Sequence, residues 1–416
     1  MKLTSRKTLL ALAISSVPMM ANALSLEDYT VANTAYDEAY ISGSFNAIEP
    51  AGNAPNDRLG YNYSLIADYE KSFSTLPRTW SYGVTLDALG SRSDQRTSTV
   101  VGVDDAGVPT TTTVSNDTNS DWGFRANGVI DNYFHESAYP MSFWFGQGEY
   151  ESRDAREEDD VAATLGLGYG RVYNATPLAK VIRIVEELNN EGLLTGPIPD
   201  SIAIEAAEII DREDEFKSKF GEDEYRPDFY AAIEEAIARS GSIRDGKLGA
   251  LGAITMDDVL VDEPISVRKH GWVVRVGAGF QASDLSGLAD NDPKLLLEWE
   301  YAKPYGYKGQ FINTLSYEPV FGDNTIQVVN NEMTYTHEVT DRIDWTNSWR
   351  VSYSDNDIES TTSHVLNTRY SFDLGNRLDY FVGLNLTQTD TDPNPANSIG
   401  DDPEINLSSG FNYRLK

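Results

Sequence analysis

Apolar and polar side chains alternate over long stretches of this chain. The first clear example is segment 58–73, where Tyr61 and Tyr63 lie on one side of an extended chain and Asn62 lies on the other. A period of two is typical of a β-strand with one apolar face. The pattern recurs in thirteen further segments: 36–47, 79–91, 121–133, 141–153, 160–173, 267–282, 294–303, 308–319, 325–339, 341–354, 362–374, 377–389 and 404–416. Most of them run for about 10 to 14 residues, which suits the ~9 to 11 residues that a tilted strand needs to cross a membrane better than the ~5 or 6 of ordinary strands.

The lengths of the connections support the same interpretation. An even number of strands suits a closed antiparallel barrel of the bacterial outer membrane, which has short turns on the periplasmic side and longer loops outside. If the chain enters from the periplasm, the even-numbered connections are the short ones: 75–78, 135–140, 304–307, the link near Thr340, and 375–376. The longer, odd-numbered connections are 48–57, 92–120, 154–159, 355–361 and 390–403, and only 321–324 is short where length is expected.

The last segment resembles the closing strand of Gram-negative outer-membrane β-barrel proteins, the porin-like class. Leu407, Phe411, Tyr413 and Leu415 alternate as that strand does, although the chain ends in Lys416 and not in an aromatic residue. The resemblance implies a location in the cell outer membrane, surrounded by lipid and lipopolysaccharide. It also implies recognition by the barrel-assembly machinery.

The N-terminus indicates export. Three basic residues precede the apolar run 9–17, and Ala21-Asn22-Ala23 has the small-x-small form that signal peptidase requires. The run is too short to cross a membrane as a helix, which needs about 20 apolar residues. We therefore expect a cleaved signal peptide over residues 1–23.

Composition narrows the chemistry further. The formal charge of −32 repels phosphates, so nucleic acid is not an expected partner. The absence of cysteine excludes disulfides, thiolate metal sites and thiol nucleophiles. The 23 Tyr, 15 Phe and 7 Trp in a chain of mean hydropathy −0.41 fit alternating strands better than apolar helices.

The period changes to that of a helix between residues 174 and 266. Thr176 is a predicted N-cap with Pro177 at the first helical position, and further helices are predicted over 201–220 and 227–239, whereas 242–265 gives no clear pattern. The insert carries 21 acidic and 9 basic residues. It follows the sixth strand, so the connection lengths place it in the periplasm. It could dock a periplasmic protein partner, plug the barrel, or form a folded domain of another role.

The predicted organisation is therefore an all-β transmembrane antiparallel barrel of about 14 strands with an inserted α-helical periplasmic domain. The signal peptide occupies 1–23, strands one to six 24–173, the helical insert 174–266, and strands seven to fourteen 267–416.

The positions of the charged residues indicate which face of each strand points into the barrel. An arginine facing lipid at mid-membrane costs about 2 to 4 kcal/mol, so the charged face must line the lumen. The predicted lumen-lining residues are Asp68, Glu70, Asp87, Arg125, Asp131, Arg275, Glu298, Glu300, Glu332, Asp344, Arg350, Arg369, Asp373, Asp379 and Arg414. The predicted lipid-facing aromatic residues are Trp80, Trp122, Trp272, Trp299, Trp345, Trp349, Tyr370, Tyr380, Phe411 and Tyr413.

The lumen set holds ten acids and five bases, which predicts a preference for cations if the lumen conducts. The alternative is a closed lumen in which these charges pair with one another. Inward glycines at 166, 168, 170, 277 and 279 predict one smooth wall, suited to a pore or to a close-lying plug.

Catalytic and metal-binding motifs were weighed and set aside. Ser363 and His364 are adjacent, so they point to opposite faces of a strand and cannot act as nucleophile and base. The run 241–247 matches the start of a phosphate-binding loop but lacks the Ser or Thr that follows its lysine. Acidic residues in 390–401 fall at calcium-loop offsets, but Pro395 occupies the glycine position. We expect no catalytic residues, no metal and no cofactor.

The sequence therefore predicts a narrow, cation-preferring pore or export channel for a solute or polymer, with a periplasmic helical docking or gating domain. The alternative function is a non-conducting structural or docking barrel, whose insert binds a periplasmic partner and whose loops act at the cell surface.

Overall fold

The structure is a computed structural model that describes most of the chain. The described residues are 24–31, 33–48, 60–92, 100–103, 109–112, 118–136, 141–222, 224–263, 265–323, 325–356, 358–375, 377–392 and 403–415. The predicted signal peptide, 1–23, lies outside them, as do Pro395 and most of the calcium-like segment around it.

Fourteen long antiparallel strands close into a single barrel, which confirms the predicted strand number. A small separate hairpin, β4 with β5, lies within the connection 93–117 that the sequence analysis treated as a loop. The strands are β1 (Thr34–Ile48), β2 (Gly60–Ser74), β3 (Arg78–Arg92), β4 (Val100–Val103), β5 (Pro109–Thr112), β6 (Thr118–Tyr133), β7 (Met141–Arg153), β8 (Asp160–Asn174), β9 (Lys269–Ser283), β10 (Asp290–Tyr305), β11 (Gly309–Phe321), β12 (Thr325–Thr340), β13 (Ile343–Asp355), β14 (Ser360–Asp373), β15 (Leu378–Asp392) and β16 (Glu404–Arg414). Pairing of Ile41 with Tyr413 and of Gly43 with Phe411 joins β1 to β16 and closes the ring.

The two ends of the barrel differ. One end, here named the turn end, carries the short connections 75–77, 306–308, 341–342 and 374–377. The first described residues, the last ones and the helical insert between β8 and β9 also lie there. The opposite end, the loop end, carries the longer connections 49–59, 93–117 and 393–403.

The outward surface of the barrel is strongly apolar. Leu165, Leu167 and Phe280 are each more than 60% exposed, and they belong to a larger set of exposed apolar side chains on the strands. Soluble monomers rarely expose contiguous apolar patches beyond a few hundred Å². A surface of this kind on strands of 11 to 16 residues is that of a membrane-spanning barrel.

Five α-helices form the insert: α1 (Thr176–Asn190), α2 (Asp200–Asp211), α3 (Glu213–Phe220), α4 (Arg226–Ala238) and α5 (Gly249–Asp257). A 3₁₀ turn (Arg244–Gly246) precedes α5, and a π-helical turn (Asp258–Asp262) follows it. The insert buries its own apolar core, which includes Ile184, Leu188, Phe229, Ile233 and Ile237. None of the helices in the described part of the chain is long and apolar enough to cross a membrane.

The structure corrects several details of the predicted insert. The helix predicted over 201–220 breaks at Arg212, whose φ and ψ of −96° and 23° are not helical. The break lets α3 turn so that Phe216 packs against Phe229, with ring centroids 5.3 Å apart. Thr176 does not cap α1: it is the first residue of the helix after the N-cap Ala175, and its hydroxyl accepts a 2.9 Å hydrogen bond from the backbone N–H of Arg268.

The boundaries of the barrel halves also shift. The strand before the insert extends to Asn174, and the strand after it begins only at Lys269. At the start of the described chain, Leu26 and Tyr29 belong to the core of the insert and not to the first barrel half. Within the segment 242–265, which gave no clear pattern, the described residues include α5 and its two flanking turns.

Candidate functional site: the barrel interior and its covered end

Contacts that skip strands identify the inner face. Arg275 on β9 contacts Asp131 on β6, and Lys294 on β10 contacts Glu149 on β7, each across two intervening strands. Such contacts are possible only on the concave side of a curved sheet. Because side chains alternate along each strand, these residues fix the direction of all others through the pairing register.

The register places all fifteen charged residues of the predicted lumen set on this inner side. Pairs such as Arg125 with Glu151, Glu298 with Arg275, and Glu332 with Arg350 carry the assignment from strand to strand. The ten predicted lipid-facing aromatic residues fall on the opposite side in the same register.

One wall of the interior, formed by β6 to β10, is filled. Phe143 and Phe145 are completely buried together with Val273 and Leu296. Their rings lie over the inward glycines, since a Cβ at Gly168 would be 2.2 Å from the ring of Phe143. The prediction of a smooth wall at these glycines is therefore wrong. The glycines provide the space that the rings of Phe143 and Phe145 occupy.

Ion pairs complete the filled wall. Arg275 makes a two-pronged contact with Asp131, at 3.1 and 2.8 Å, and it also contacts Glu298. Its side chain is only 10% exposed and that of Asp131 only 4%. A charge removed from water to this extent needs a hydrogen-bonded partner, so the cluster fixes the wall and does not offer mobile charges to a passing solute.

Two further clusters lie nearer the loop end of the same wall. Arg153 contacts Asp87 and Asp121, each at 3.2 Å, and Lys294 contacts Glu318 at 2.6 Å. Arg153 and Lys294 are not in the predicted lumen set, because both lie close to strand ends. The alternation of Glu149, Glu151 and Arg153 along β7 is a signal that could have found the first of them.

The opposite wall, formed by β12 to β16 with β1 and β2, is polar and accessible. Its ion pair, Arg350 with Glu332 at 2.7 Å, leaves the two side chains 57% and 36% exposed. Small polar residues dominate its inner positions: Ser42, Ser44, Thr334, Thr346, Ser352, Asn367, Asn385, Asn406 and Ser408. Most of the inner positions of this wall are therefore polar, and its ion pair is open to solvent.

The helical insert covers the turn end of the barrel. From α1, Arg183 contacts Asp341 in the β12–β13 turn, and Glu186 accepts a 2.6 Å hydrogen bond from Tyr307 in the β10–β11 turn. From the segment that leads back to β9, here named the return segment (258–263 and 265–268), Val261 accepts a 3.0 Å hydrogen bond from Arg414 at the end of β16. Because these strand ends are spread around the ring, the insert lies across the opening.

Arg183 and Arg268 are the two main attachment points. Arg183 is almost fully buried and contacts Glu263 at 2.9 Å and Glu186 at 3.1 Å, in addition to Asp341. Although burial lowers the pKa of Arg183, Asp341 and Glu263 raise it more, so the guanidinium stays charged. Arg268, also buried, donates to the carbonyl of Tyr307 at 2.8 Å and so ties the return segment to the β10–β11 turn.

The N-terminal segment joins the cover. Tyr29 is fully buried in the insert core, and its carbonyl oxygen accepts a 2.9 Å hydrogen bond from His270 at the start of β9. A few residues later the chain enters β1, which lies on the far side of the ring from β9. The segment therefore runs beneath the helices at the covered end. Nothing in the alternation pattern indicated this arrangement.

Two cavities lie at the covered end. The inner one, about 340 Å³, is formed by the polar wall and the return segment and is lined by Glu38, Tyr40, Asp262, Asp344, Asp373, Asp379 and Arg414, among others. The outer one, about 380 Å³, lies between the insert and the turns and is lined by Glu187, Glu191, Asp258, Asp262, Glu263, Asp341, Arg342 and Asp373, among others. Asp262 and Asp373 line both cavities, and acidic side chains outnumber basic ones in each.

The described residues offer little support for other chemistry. Ser363 and His364 lie next to each other on β14 and point to opposite faces. Within the same part of the chain, no three His, Cys, Asp or Glu side chains are grouped so that they could hold a metal ion.

Comparison with known proteins gives only distant likenesses. No family model matches the chain, and no curated protein matches it. Among solved structures, the outer membrane channel DcaP of Acinetobacter baumannii shares 8% identity at a TM-score of 0.36, covering 92% of this chain and 97% of that one. An outer membrane channel of Pseudomonas putida F1 shares 8% at 0.32 over 96% and 99%. OmpT of Vibrio cholerae, in its trimer form, shares 7% at 0.28 over 92% and 100%.

TM-scores this low do not establish a common fold. The class is defined by the molecule itself: a closed ring of fourteen strands of membrane length, an outward apolar and aromatic surface, and a charged interior. These are the features of an outer-membrane β-barrel.

Proposed function

We propose that this protein is an outer-membrane channel that conducts cations or cationic solutes along the polar wall of its lumen. The observation that carries the proposal is the asymmetry of the interior. One wall is filled by Phe143 and Phe145, whereas the opposite wall carries small polar side chains and an exposed ion pair.

The preference for cations follows from the charges that stay accessible. In the filled wall, the buried bases Arg275 and Lys294 are paired with the acidic residues Asp131 and Glu318. At the turn end of the polar wall, the inner cavity is lined by five acids against two bases, Arg377 and Arg414; the acids are Glu38, Asp262, Asp344, Asp373 and Asp379. Rings of Asp and Glu side chains favour cations in channels of known selectivity.

The insert acts at the periplasmic mouth in this proposal. Short turns face the periplasm in outer-membrane barrels, and the insert lies at the end that carries the short turns. A domain attached there through Arg183 and Arg268 restricts access to the lumen from the periplasmic side.

Planar-bilayer recording of the refolded protein tests the proposal. We expect discrete conductance steps, with a reversal potential in a KCl gradient that lies on the cation-selective side. Asp344→Asn combined with Asp379→Asn should move this reversal potential toward zero. Glu205→Gln, on the outer surface of the insert, is the matched control and should not. Anion-selective steps would contradict the charge assignment.

A non-conducting docking barrel is the second candidate. It is favoured by Leu251 and Ile254 on α5, which are 46% and 58% exposed and leave an apolar patch on the insert. A barrel that is demonstrably inserted, as shown by its heat-modifiable migration in gels, but remains silent in the bilayer would favour this function over the channel.

A further inference from the structure

The covered end poses a problem for a channel, because the straight route along the barrel axis is obstructed. The insert contacts the β10–β11 turn through Tyr307, the β12–β13 turn through Asp341, and β16 through Arg414. On the side of the filled wall, Arg171 donates two 2.9 Å hydrogen bonds to the β2–β3 turn and stacks on Tyr133. An ion that follows the polar wall therefore meets the insert before it reaches the turn-end solvent.

The two cavities suggest another route by which an ion could leave the barrel at the turn end. The inner cavity opens from the polar wall, and the outer cavity lies between the insert and the turns. Asp262, at the end of the π-helical turn, and Asp373, at the end of β14, belong to the linings of both. These two carboxylates are shared by the linings of both cavities, and we name the place they occupy the junction.

We propose that the conduction path leaves the barrel sideways through this junction, between the return segment of the insert and the β12–β13 and β14–β15 turns. Asp262 and Asp373 are then the residues that determine charge selectivity at the exit. This inference rests on the proposed channel function and deepens it by naming the route and its specificity-determining residues.

The two sides of this exit are held by different parts of the molecule. The strand side is held by the barrel: Asp373 accepts a 2.8 Å hydrogen bond from the backbone of Gly375 within the β14–β15 turn. The insert side is held by the contact of Val261 with Arg414 and by the contact of Glu263 with Arg183. The position of Asp262, between these two attachments, is therefore set by the docking of the insert.

The absence of native cysteine makes the route directly testable. In Asp262→Cys the introduced thiol is unique, so a cationic methanethiosulfonate reagent adds a positive charge at one known position. We expect this modification to reduce single-channel conductance by about twofold or more and to move the reversal potential toward zero, since fixed charge at a narrow exit repels like ions. The anionic reagent of the same family should restore cation preference.

Two further variants make the result decisive. Asp373→Cys places the thiol on the barrel side of the exit and should respond in the same way, which covers the case in which Asp262→Cys refolds poorly. Glu235→Cys is the matched control, because Glu235 is exposed on α4 and lines neither cavity.

The outcomes separate the exit from the channel itself. If both exit variants conduct, and mass spectrometry shows complete labelling without any change in conductance or selectivity, the ions leave by another route and the inference is wrong. If the unmodified protein is silent, the channel function fails as well. A response of Glu235→Cys equal to that of the exit variants would also refute a local effect at the junction.

Discussion

Replacing Arg183 should detach the helical insert from the barrel without unfolding the barrel. Its guanidinium, 3% exposed, is the shared partner of Glu186 and Glu187 in α1, Glu263 in the return segment, and Asp341 in the β12–β13 turn. Arg183→Met keeps most of the apolar bulk but leaves the carboxylates without their cation.

The magnitude follows from the burial of the groups concerned. Removing one partner of a buried ion pair costs about 3 to 5 kcal/mol, because the other charge remains buried and unpaired. Here Asp341 is 51% and Glu186 39% exposed, so water compensates them in part. We expect a loss of about 2 kcal/mol in the docking free energy, which is about a 30-fold rise in the population of the undocked insert.

Limited proteolysis of the refolded protein measures this population, provided that docking and undocking are fast relative to cleavage. Cleavage within the insert should become about 30-fold faster in Arg183→Met, while the barrel keeps its heat-modifiable migration. Arg239→Met is the control, because the pair of Arg239 with Glu205 is about half-exposed and exposed pairs contribute only about 0 to 1 kcal/mol. Equal cleavage rates in the Arg183 variant and the wild type would refute the proposed attachment.

Three other changes test separate parts of the structure. Burial, with a contribution from the neighbouring Glu208, raises the pKa of Asp211 to about 7. The folded insert therefore holds a proton that the unfolded chain releases, and its stability should fall as the pH rises from about 4 to 7. Asp211→Asn should abolish this loss of stability, which limited proteolysis between pH 5 and pH 8 would measure. The same dependence of the cleavage rate on pH in the variant and the wild type would contradict the prediction. Phe143→Ala should lower the free energy of unfolding by about 3 kcal/mol in urea titrations of the refolded barrel, because the ring is completely buried; a loss below about 1 kcal/mol would show that the wall is loosely packed. Gly166→Ala should reduce refolding yield, since its Cβ would lie 2.2 Å from the carbonyl of Val276, whereas Gly148→Ala meets nothing within 4 Å and should refold normally.

The strand pattern and the division into inner and outer faces could be predicted from the sequence because both are local. Side chains alternate with a period of two, and a membrane penalises charge on the lipid side, so each strand indicates its own orientation. Glu332 and Trp345 could thus be assigned to opposite faces without knowledge of their neighbours. The even strand number and the alternation of connection lengths then predicted closure.

The tertiary structure alone decided how the lumen is filled and which residues lie over its turn end. The glycines at 166 and 168 predicted a smooth wall, but only strand pairing shows that Phe145 and Phe143 lie opposite them. Tyr29 belongs to the insert core, and Asp262 and Asp373 line the same cavities, although the residues brought together in each place are far apart in the sequence. The local alternation of side chains cannot predict these arrangements. They depend on which strand ends lie beneath the insert once the ring is closed.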